Sequence, residues 1–203
     1  MPCSITQGRD VSCKDAIGGI KGVYIHNFTE FYKAPTNFSV SNGEVTALVD
    51  WNEATDAEAK FNMFYFAVRR EMCNLEVSIN SDPANGTTFF EQRFTMDLNK
   101  LTQEDANTMR LLAYGRPQII VEDNQGNLLM LGAKNGMDVS SGSISTGQSF
   151  GDRNGVSLEF TGRETEAFWT LVGTPNQGTP AEAPFQNFNS AHVTIDGTDL
   201  ATI

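Results

Sequence analysis

Short apolar runs, separated by turns that contain Gly or Asn, follow one another along most of this chain. The clearest is Val156-Ser157-Leu158-Glu159-Phe160, where apolar and polar residues alternate strictly and predict a half-buried strand. Ser41-Asn42-Gly43 separates two such runs, which is the usual mark of a β-hairpin. The pattern predicts strands at 20–28, 38–40, 44–49, 61–68, 75–79, 87–98, 117–121, 128–131, 137–143, 156–160 and 168–172.

The strands between 117 and 172 are expected to form an antiparallel meander with one face in solvent. Within it, Thr161-Gly162-Arg163-Glu164 is expected to end strand 156–160, because glycine is unfavourable inside a strand. Strands 20–28 and 61–68 differ, since both alternating sides are apolar. Strand 20–28 is therefore predicted to be central in a sheet or to lie at a subunit contact.

One segment has helical spacing. Thr102 is a suitable N-cap, with acids in the turn that follows, and Gly115 precedes Pro117 at the end. The apolar face consists of Ala106, Met109, Leu112 and Ala113. The helix is expected to cover the open end of a sandwich.

The pattern predicts a mainly β fold, an antiparallel β-sandwich or small barrel with one α-helix. Residues 1–173 are expected to form one β domain that begins with an N-terminal arm. Residues 174–203 are expected to be a linker and a C-terminal strand or arm, which contains no Lys or Arg. Phe185, Phe188, Val193 and Ile195 can form one late strand there.

Composition narrows the class of function. A net charge of −11 argues against binding along a nucleic-acid backbone, which needs an excess of Lys and Arg. Charged residues make up 19% of the chain, below the roughly 25% typical of soluble domains, which indicates a surface covered by a partner. The sequence contains no apolar run of membrane-spanning length and no apolar core of a secretory signal at 1–10, so no membrane association is expected.

Candidate catalytic and metal-binding residues are few. His26 and His192 stand beside no base or nucleophile motif, so both are predicted to be structural. Cys3, Cys13 and Cys73 are odd in number and lack metal-ligand spacing, so they are predicted to be free thiols. We therefore expect no catalytic, cofactor-binding or metal-binding residue, and no enzyme.

Two loops resemble ligand-binding motifs only superficially. The glycines at 142, 147, 151 and 155 lack the Gly-Lys-Ser/Thr ending of a phosphate-binding loop, and no helix is predicted after them. The segment 123–127, Asp-Asn-Gln-Gly-Asn, lacks the spacing and the terminal Glu of a calcium loop. Both are predicted to be turns between strands.

The turn chemistry from 121 to 164 carries a resemblance to a known family. Its pieces are Asp123 to Gly126, Leu131-Gly132 with Asn135-Gly136, Thr146-Gly147, Gly151-Asp152 leading into Asn154-Gly155, and Thr161-Gly162-Arg163-Glu164. This stretch resembles the core of tail-tube-like virion proteins of tailed bacteriophages, especially those of crAss-like and other Bacteroidetes-infecting phages. With the helix and the 18–28 segment, the resemblance covers about two thirds of the chain.

The resemblance implies a virion structural protein of the tail or neck, synthesised in the bacterial host cytoplasm. Such proteins form rings of six or more copies, or stacked tubes, whose sheets join between subunits to line a channel for genome ejection. Other tail or neck proteins are the expected partners, and genome DNA is expected to pass without specific binding. An acidic wall suits this role, because it repels DNA phosphates.

A second hypothesis is a β-sandwich binding module for a carbohydrate or a receptor, on a fibre or a secreted protein. In that case Trp51, Tyr24 and Phe31 would form an aromatic platform. A binding module can be monomeric, whereas a ring subunit must assemble.

Overall fold

The computed structural model of the chain describes residues 17–28, 38–41, 44–48, 61–69, 71–171, 193–196 and 198–199. These residues form thirteen strands and one helix, α1 (Gln103–Tyr114). The strands are β1 (Ile20–His26), β2 (Phe38–Ser41), β3 (Glu44–Leu48), β4 (Phe61–Ala67), β5 (Cys73–Asp82), β6 (Thr87–Asn99), β7 (Gln118–Asp123), β8 (Leu128–Leu131), β9 (Asp138–Ser145), β10 (Gly155–Glu164), β11 (Trp169–Leu171), β12 (Val193–Ile195) and β13 (Thr198–Asp199).

The strands are arranged in two sheets. Sheet A has nine strands in the order β13-β12-β4-β1-β7-β8-β11-β3-β2, and sheet B has four in the order β5-β6-β10-β9. All pairs in sheet B are antiparallel. In sheet A two pairs are parallel, β12 with β4 and β11 with β3, where strands distant in sequence join the sheet.

Apolar side chains of both sheets pack into one core. Phe94 and Phe160 of sheet B are fully buried, with ring centroids 6.1 Å apart. They share this core with Ile119 and Val121 of sheet A and with Met109 of α1. The two sheets therefore pack face to face, which confirms the mainly β fold and, of the two predicted alternatives, the sandwich.

The centre of sheet A is buried on both faces. On β1, Val23 and Ile25 belong to the shared core, while Tyr24 on the opposite face is only 1% exposed. On β7, Ile119 belongs to the core and Ile120 on the opposite face is 1% exposed. The prediction of a central strand at 20–28 is confirmed, and burial within the chain accounts for its two apolar sides.

The chain passes between the sheets twice from 131 to 169. It leaves sheet A after Leu131 and enters sheet B at Asp138, then leaves sheet B after Glu164 and returns to sheet A at Trp169. The predicted single meander is therefore wrong, because β11 pairs with β8 and not with β10. The predicted solvent-facing side is also wrong for β7 and β8, although β9 and β10 do have an exposed face.

Strand β10 extends past its predicted end. The backbone pairs with β6 as far as Glu164, opposite Phe90, so Gly162 lies inside the strand. A Cβ on Gly162 would lie 3.2 Å from the backbone oxygen of Gly136. The glycine therefore permits a close approach between two segments, where the sequence pattern indicated a strand end.

The helix was placed correctly, with one error in its buried face. Met109 is buried and Leu112 packs against the core, whereas Ala113 is exposed. At the end of the helix the Gly115 N–H donates to the Leu111 carbonyl oxygen at 2.9 Å. The helix thus covers the core with a narrower stripe than predicted.

The C-terminal segment joins the far end of sheet A. Strand β12 places Val193 opposite Phe61 and Ile195 opposite Met63 of β4. The late strand therefore includes Val193 and Ile195. Several predicted features lie outside the described residues: the N-terminal arm, the linker at 174–180, and Phe185 and Phe188.

Candidate functional site

Sheet B has one face in the core and one face directed away from it, called here the polar face. The residues that alternate with buried Met96, Phe94 and Leu158 point to this polar face. Its charged members are the acids Glu76, Asp82, Glu91, Asp97, Asp138 and Glu159 and the arginines Arg93 and Arg163. Acids thus outnumber arginines on the polar face.

Acids or rings contact the basic groups at the polar face. Arg93 Nε lies 3.2 Å from Glu159 Oε1, and Arg153, from the loop before β10, places Nη1 2.8 Å from Asp97 Oδ2. The Arg163 guanidinium lies 5.8 Å from the centre of the Phe89 ring, within range of a cation–π contact. Exposed ion pairs contribute little stability, about 0–1 kcal/mol, so their main effect is to neutralise the arginines locally.

Both edges of sheet B are open in the described structure, β5 at one end and β9 at the other. An open edge presents unpaired backbone N–H and C=O groups that can pair with a strand of another chain. On β9, residues 140–145 are all exposed, and the Ile144 side chain is 58% exposed. On β5 the corresponding exposed apolar residue is Ile79, at 67%.

The two crossings between the sheets are tied together by Gln92 and Glu164, each at most 4% exposed. Gln92 accepts a hydrogen bond from the Gly132 N–H and donates one to the Ala167 carbonyl oxygen, both at 2.8 Å. Glu164 Oε1 accepts from the Lys134 N–H at 2.9 Å and from the next N–H at 2.7 Å. Segments 131–136 and 161–164 thus meet at this junction.

A second layer of contacts surrounds the junction. Lys134 Nζ lies 2.9 Å from Glu166 Oε1, and Trp169 Nε1 donates to Glu166 Oε2 at 2.5 Å. Burial raises the pKa of Glu164 despite the backbone N–H groups that favour its charged form. At Glu166 burial also acts to raise the pKa, but the hydrogen bonds from Lys134 and Trp169 prevail and lower it. These contacts hold loops together and leave no carboxylate pair free for acid–base chemistry at this junction.

The opposite face of sheet A carries a Tyr–Glu–Lys group in which Tyr24 and Glu122 are buried and the Lys21 side chain is 53% exposed. Lys21 Nζ lies 2.6 Å from Glu122 Oε1, and the Tyr24 and Tyr65 ring centroids lie 5.0 Å apart. A bulge at 20–22 accompanies this contact, since the pairing with β7 shifts there by one residue. Burial, together with the charge of Glu122, raises the pKa of both tyrosines.

Tyr24 cannot belong to the aromatic platform that the binding-module hypothesis needs, because it is 1% exposed. The other two platform residues, Trp51 and Phe31, lie outside the described residues. His26 is buried in β1, and burial lowers its pKa to about 4. Cys73 is a free, half-buried thiol whose pKa is raised by burial, while Cys3, Cys13 and His192 lie outside the described residues.

The loop between β9 and β10 borders an open concavity of about 800 Å³ that includes three of the four glycines noted above. Its charged groups are engaged by backbone N–H groups of the loop and by Asp97 of β6. Asp152 Oδ2 accepts from the Gln148 and Ser149 N–H groups at 2.9 and 2.8 Å, which lowers its pKa, and Arg153 pairs with Asp97. The loop joins two strands, so the structure does not give it the helix of a phosphate-binding loop.

The 123–127 segment is a hairpin turn between β7 and β8. Asp123 Oδ1 accepts from the Gln125 and Asn127 N–H groups at 2.8 and 2.7 Å. This confirms the prediction of a turn. Over the described ranges, no three His, Cys, Asp or Glu side chains are grouped to hold a metal ion.

Sequence reasoning missed the junction residues Gln92 and Glu164 and the buried Glu122. For Glu122 a signal was available, because a carboxylate directly follows the apolar run 119–121 and precedes the turn. No helix in the described part of the chain is long and apolar enough to cross a membrane. Comparisons with models of protein families, with curated proteins and with solved structures found no match. The likeness to tail-tube-like proteins stays a prediction.

Proposed function

We propose that this chain is a virion structural subunit of a tailed bacteriophage, which assembles into a ring or stacked tube in the tail or neck around a channel for the genome. One observation carries the proposal. The central strands of sheet B, β6 and β10, are buried on one face, the other face of the sheet is polar and acid-rich, and both edges are open in the described structure. A wall segment of a water-filled channel needs these three properties together. The resemblance of the turn segments to tail-tube-like proteins also supports a virion structural protein.

The polar face is the proposed channel wall. Its acids repel DNA phosphates, and its arginines are held by Glu159, by Asp97 or against an aromatic ring. Each free Lys or Arg would add a favourable phosphate contact, repeated in every copy around the channel. Arg93 and Arg163 lie on this face, and their contacts with Glu159 and with the Phe89 ring reduce their attraction for phosphate.

The open edges are the proposed subunit contacts. If β5 of one copy lies beside β9 of the next, the four-stranded sheets join into a continuous wall. The two edges are different surfaces, so this contact is heterologous and closes into a ring when the rotation between copies permits. Ring closure would also remove the edges, which are an aggregation hazard in a monomer.

Assembly tests the proposal through a lysine at the β9 edge. Ile144→Lys places a charge beside the proposed contact and should abolish rings and tubes in negative-stain electron microscopy and light scattering. Leu111→Lys is the matched control, because Leu111 is 73% exposed and lies on α1, outside the strands of sheet B. Strictly monomeric wild-type protein at millimolar concentration would contradict the proposal.

A structure of the assembled protein tests the channel itself. The polar face should line the lumen, and the lumen should be wide enough for a DNA duplex. A ring whose lumen is net positive, or too narrow for a duplex, would leave a role in assembly but would exclude a genome channel.

A further inference from the structure

Strand β12 joins sheet A by pairing with a strand that is far from it in sequence. Apart from β13, with which it forms a short antiparallel pair, its neighbour is β4, and the pairing with β4 is parallel. No tight turn can connect parallel strands, and here more than a hundred residues of sequence separate the partners. The pairing therefore does not depend on a local connection.

A specific contact ends this pairing. Asp196 donates its N–H to the Met63 carbonyl oxygen at 2.9 Å, and its Oδ1 accepts from the Tyr65 N–H at 3.1 Å. Its φ of 51° lies in the left-handed region, which few residues other than Gly, Asn and Asp adopt. The end of β12 is thus a built contact with β4.

The chain between β11 and β12 is longer than this contact requires. β11 and β12 lie five strand positions apart in sheet A, a distance of about 24 Å at about 4.8 Å per strand. Residues 172–192, about 20 in number, have a contour length of about 70 Å. That length permits β12 to reach either the β4 of its own chain or the β4 of an adjacent copy.

We propose that β12 and β13 exchange between copies, so that in the assembled protein this strand pair of one copy occupies the β4 edge of the next. This inference rests on the proposed ring assembly. Exchange forms the same hydrogen bonds as pairing within one chain. The equilibrium between the two arrangements therefore depends on the effective concentration of the neighbouring β4. In a closed ring every copy gives and receives one strand pair, and no β4 edge is left unpaired.

Disulfide trapping tests the exchange. Thr194 lies directly opposite Asn62 in the parallel pair, and adjacent strands place Cα atoms within the range that a disulfide spans. In a background with Cys3→Ser, Cys13→Ser and Cys73→Ala, the double variant Asn62→Cys/Thr194→Cys is assembled, oxidised and run on a non-reducing denaturing gel. Exchange predicts covalent oligomers, and a mixture of the two single variants should give covalent dimers.

The control places cysteines at Ser81 and Thr88, whose hydroxyls lie 3.0 Å apart across the β5–β6 hairpin. These two cysteines should form a disulfide within one chain. A second pair, Val193→Cys with Phe61→Cys, repeats the test if the first variant does not fold. Assembled particles that carry only disulfides within single chains would overturn the exchange and leave the proposed function standing. Monomers in light scattering of the same samples would overturn both.

Discussion

Asn135 donates its backbone N–H to Glu164 Oε1 across 2.7 Å and thereby joins the segment that leaves sheet A to the segment that leaves sheet B. The same carboxylate oxygen accepts from Lys134. One buried side chain therefore fixes the relative position of two crossings that are about 30 residues apart in sequence. The stability of the sandwich should depend on it.

Glu164→Ala should lower the free energy of unfolding by about 1–3 kcal/mol, because two part-buried N–H donors lose their buried acceptor. Glu164→Gln keeps an acceptor oxygen and should cost clearly less. Urea unfolding followed by tryptophan fluorescence measures both, since Trp169 lies beside the junction. Equal losses for the two variants would show that the hydrogen bonds are not what Glu164 contributes.

The difference in stability between wild type and Glu164→Gln should depend on pH. Because burial raises the pKa of Glu164 above its ordinary value of 4.5, the folded state holds this proton more tightly than the unfolded state. The resulting stabilisation is complete below the unfolded pKa and is lost as pH rises through the folded pKa. As pH rises from 4.5 through the raised pKa of the folded state, wild type should therefore lose stability relative to Glu164→Gln. A constant difference across this range would contradict the prediction.

Both faces of sheet A should behave as core. Ile119→Ala on the face toward sheet B and Ile120→Ala on the opposite face should each cost about 2–5 kcal/mol, because both side chains are at most 1% exposed. Leu111→Ala, at a residue that is 73% exposed, should cost less than about 1 kcal/mol. Chemical denaturation of the three variants makes the comparison, and a cost at Ile120 as small as that at Leu111 would refute the second buried face.

Substitution by alanine should lower stability at one glycine of the β9–β10 hairpin and leave it nearly unchanged at another. A Cβ on Gly155 would lie 2.0 Å from the Leu98 carbonyl oxygen, so Gly155→Ala must displace backbone and should cost more than about 2 kcal/mol. At Gly151 nothing lies within 4 Å, and Gly151→Ala should change stability by less than about 0.5 kcal/mol. Thermal unfolding of both variants makes the comparison. Similar melting temperatures would show that β10 and β6 can move apart at Gly155 without loss of stability.

The charge of the polar face should control contact with DNA. Glu159→Gln releases Arg93 from its ion pair, so assembled particles should retain duplex DNA more strongly at low salt, with a steeper dependence on salt. Glu71→Gln makes the same change in net charge at an exposed turn before β5 and should have little effect. Filter binding across a salt series measures both, and equal retention by the two variants would argue against the polar face as the channel wall.

Much of the strand layout could be predicted from the sequence, because apolar runs and turn residues act locally. The positions of β8 and of the β2–β3 hairpin followed from pattern alone. The crossings did not, since Asn135-Gly136 is compatible with a chain that turns back and with one that changes sheets. Gly162 was wrongly predicted to end its strand. Its small size permits a close approach to the Gly136 backbone, and such a long-range contact leaves no mark in the local pattern.

The candidate site was predictable only in outline. Strict alternation at 156–160 placed Ser157 and Glu159 on an exposed face, and this is part of the polar face. The ion pairs of Arg93 and Arg153 could not be anticipated, because each joins residues brought together by strand register or by a loop. The burial of Tyr24 was equally hidden, since it depends on a sheet that is covered on both sides.

The placement of β12 and β3 has a consequence for the order in which the molecule can fold. All four strands of sheet B come from residues 73–164, so every strand of this sheet is synthesised before β11, β12 and β13. Sheet A must wait, because β3 needs β11 and β4 needs β12. Such long-range pairing slows folding. Sheet B thus has all of its strands before β11 and β12 are made, and the pairing of β3 with β11 and of β4 with β12 completes sheet A later.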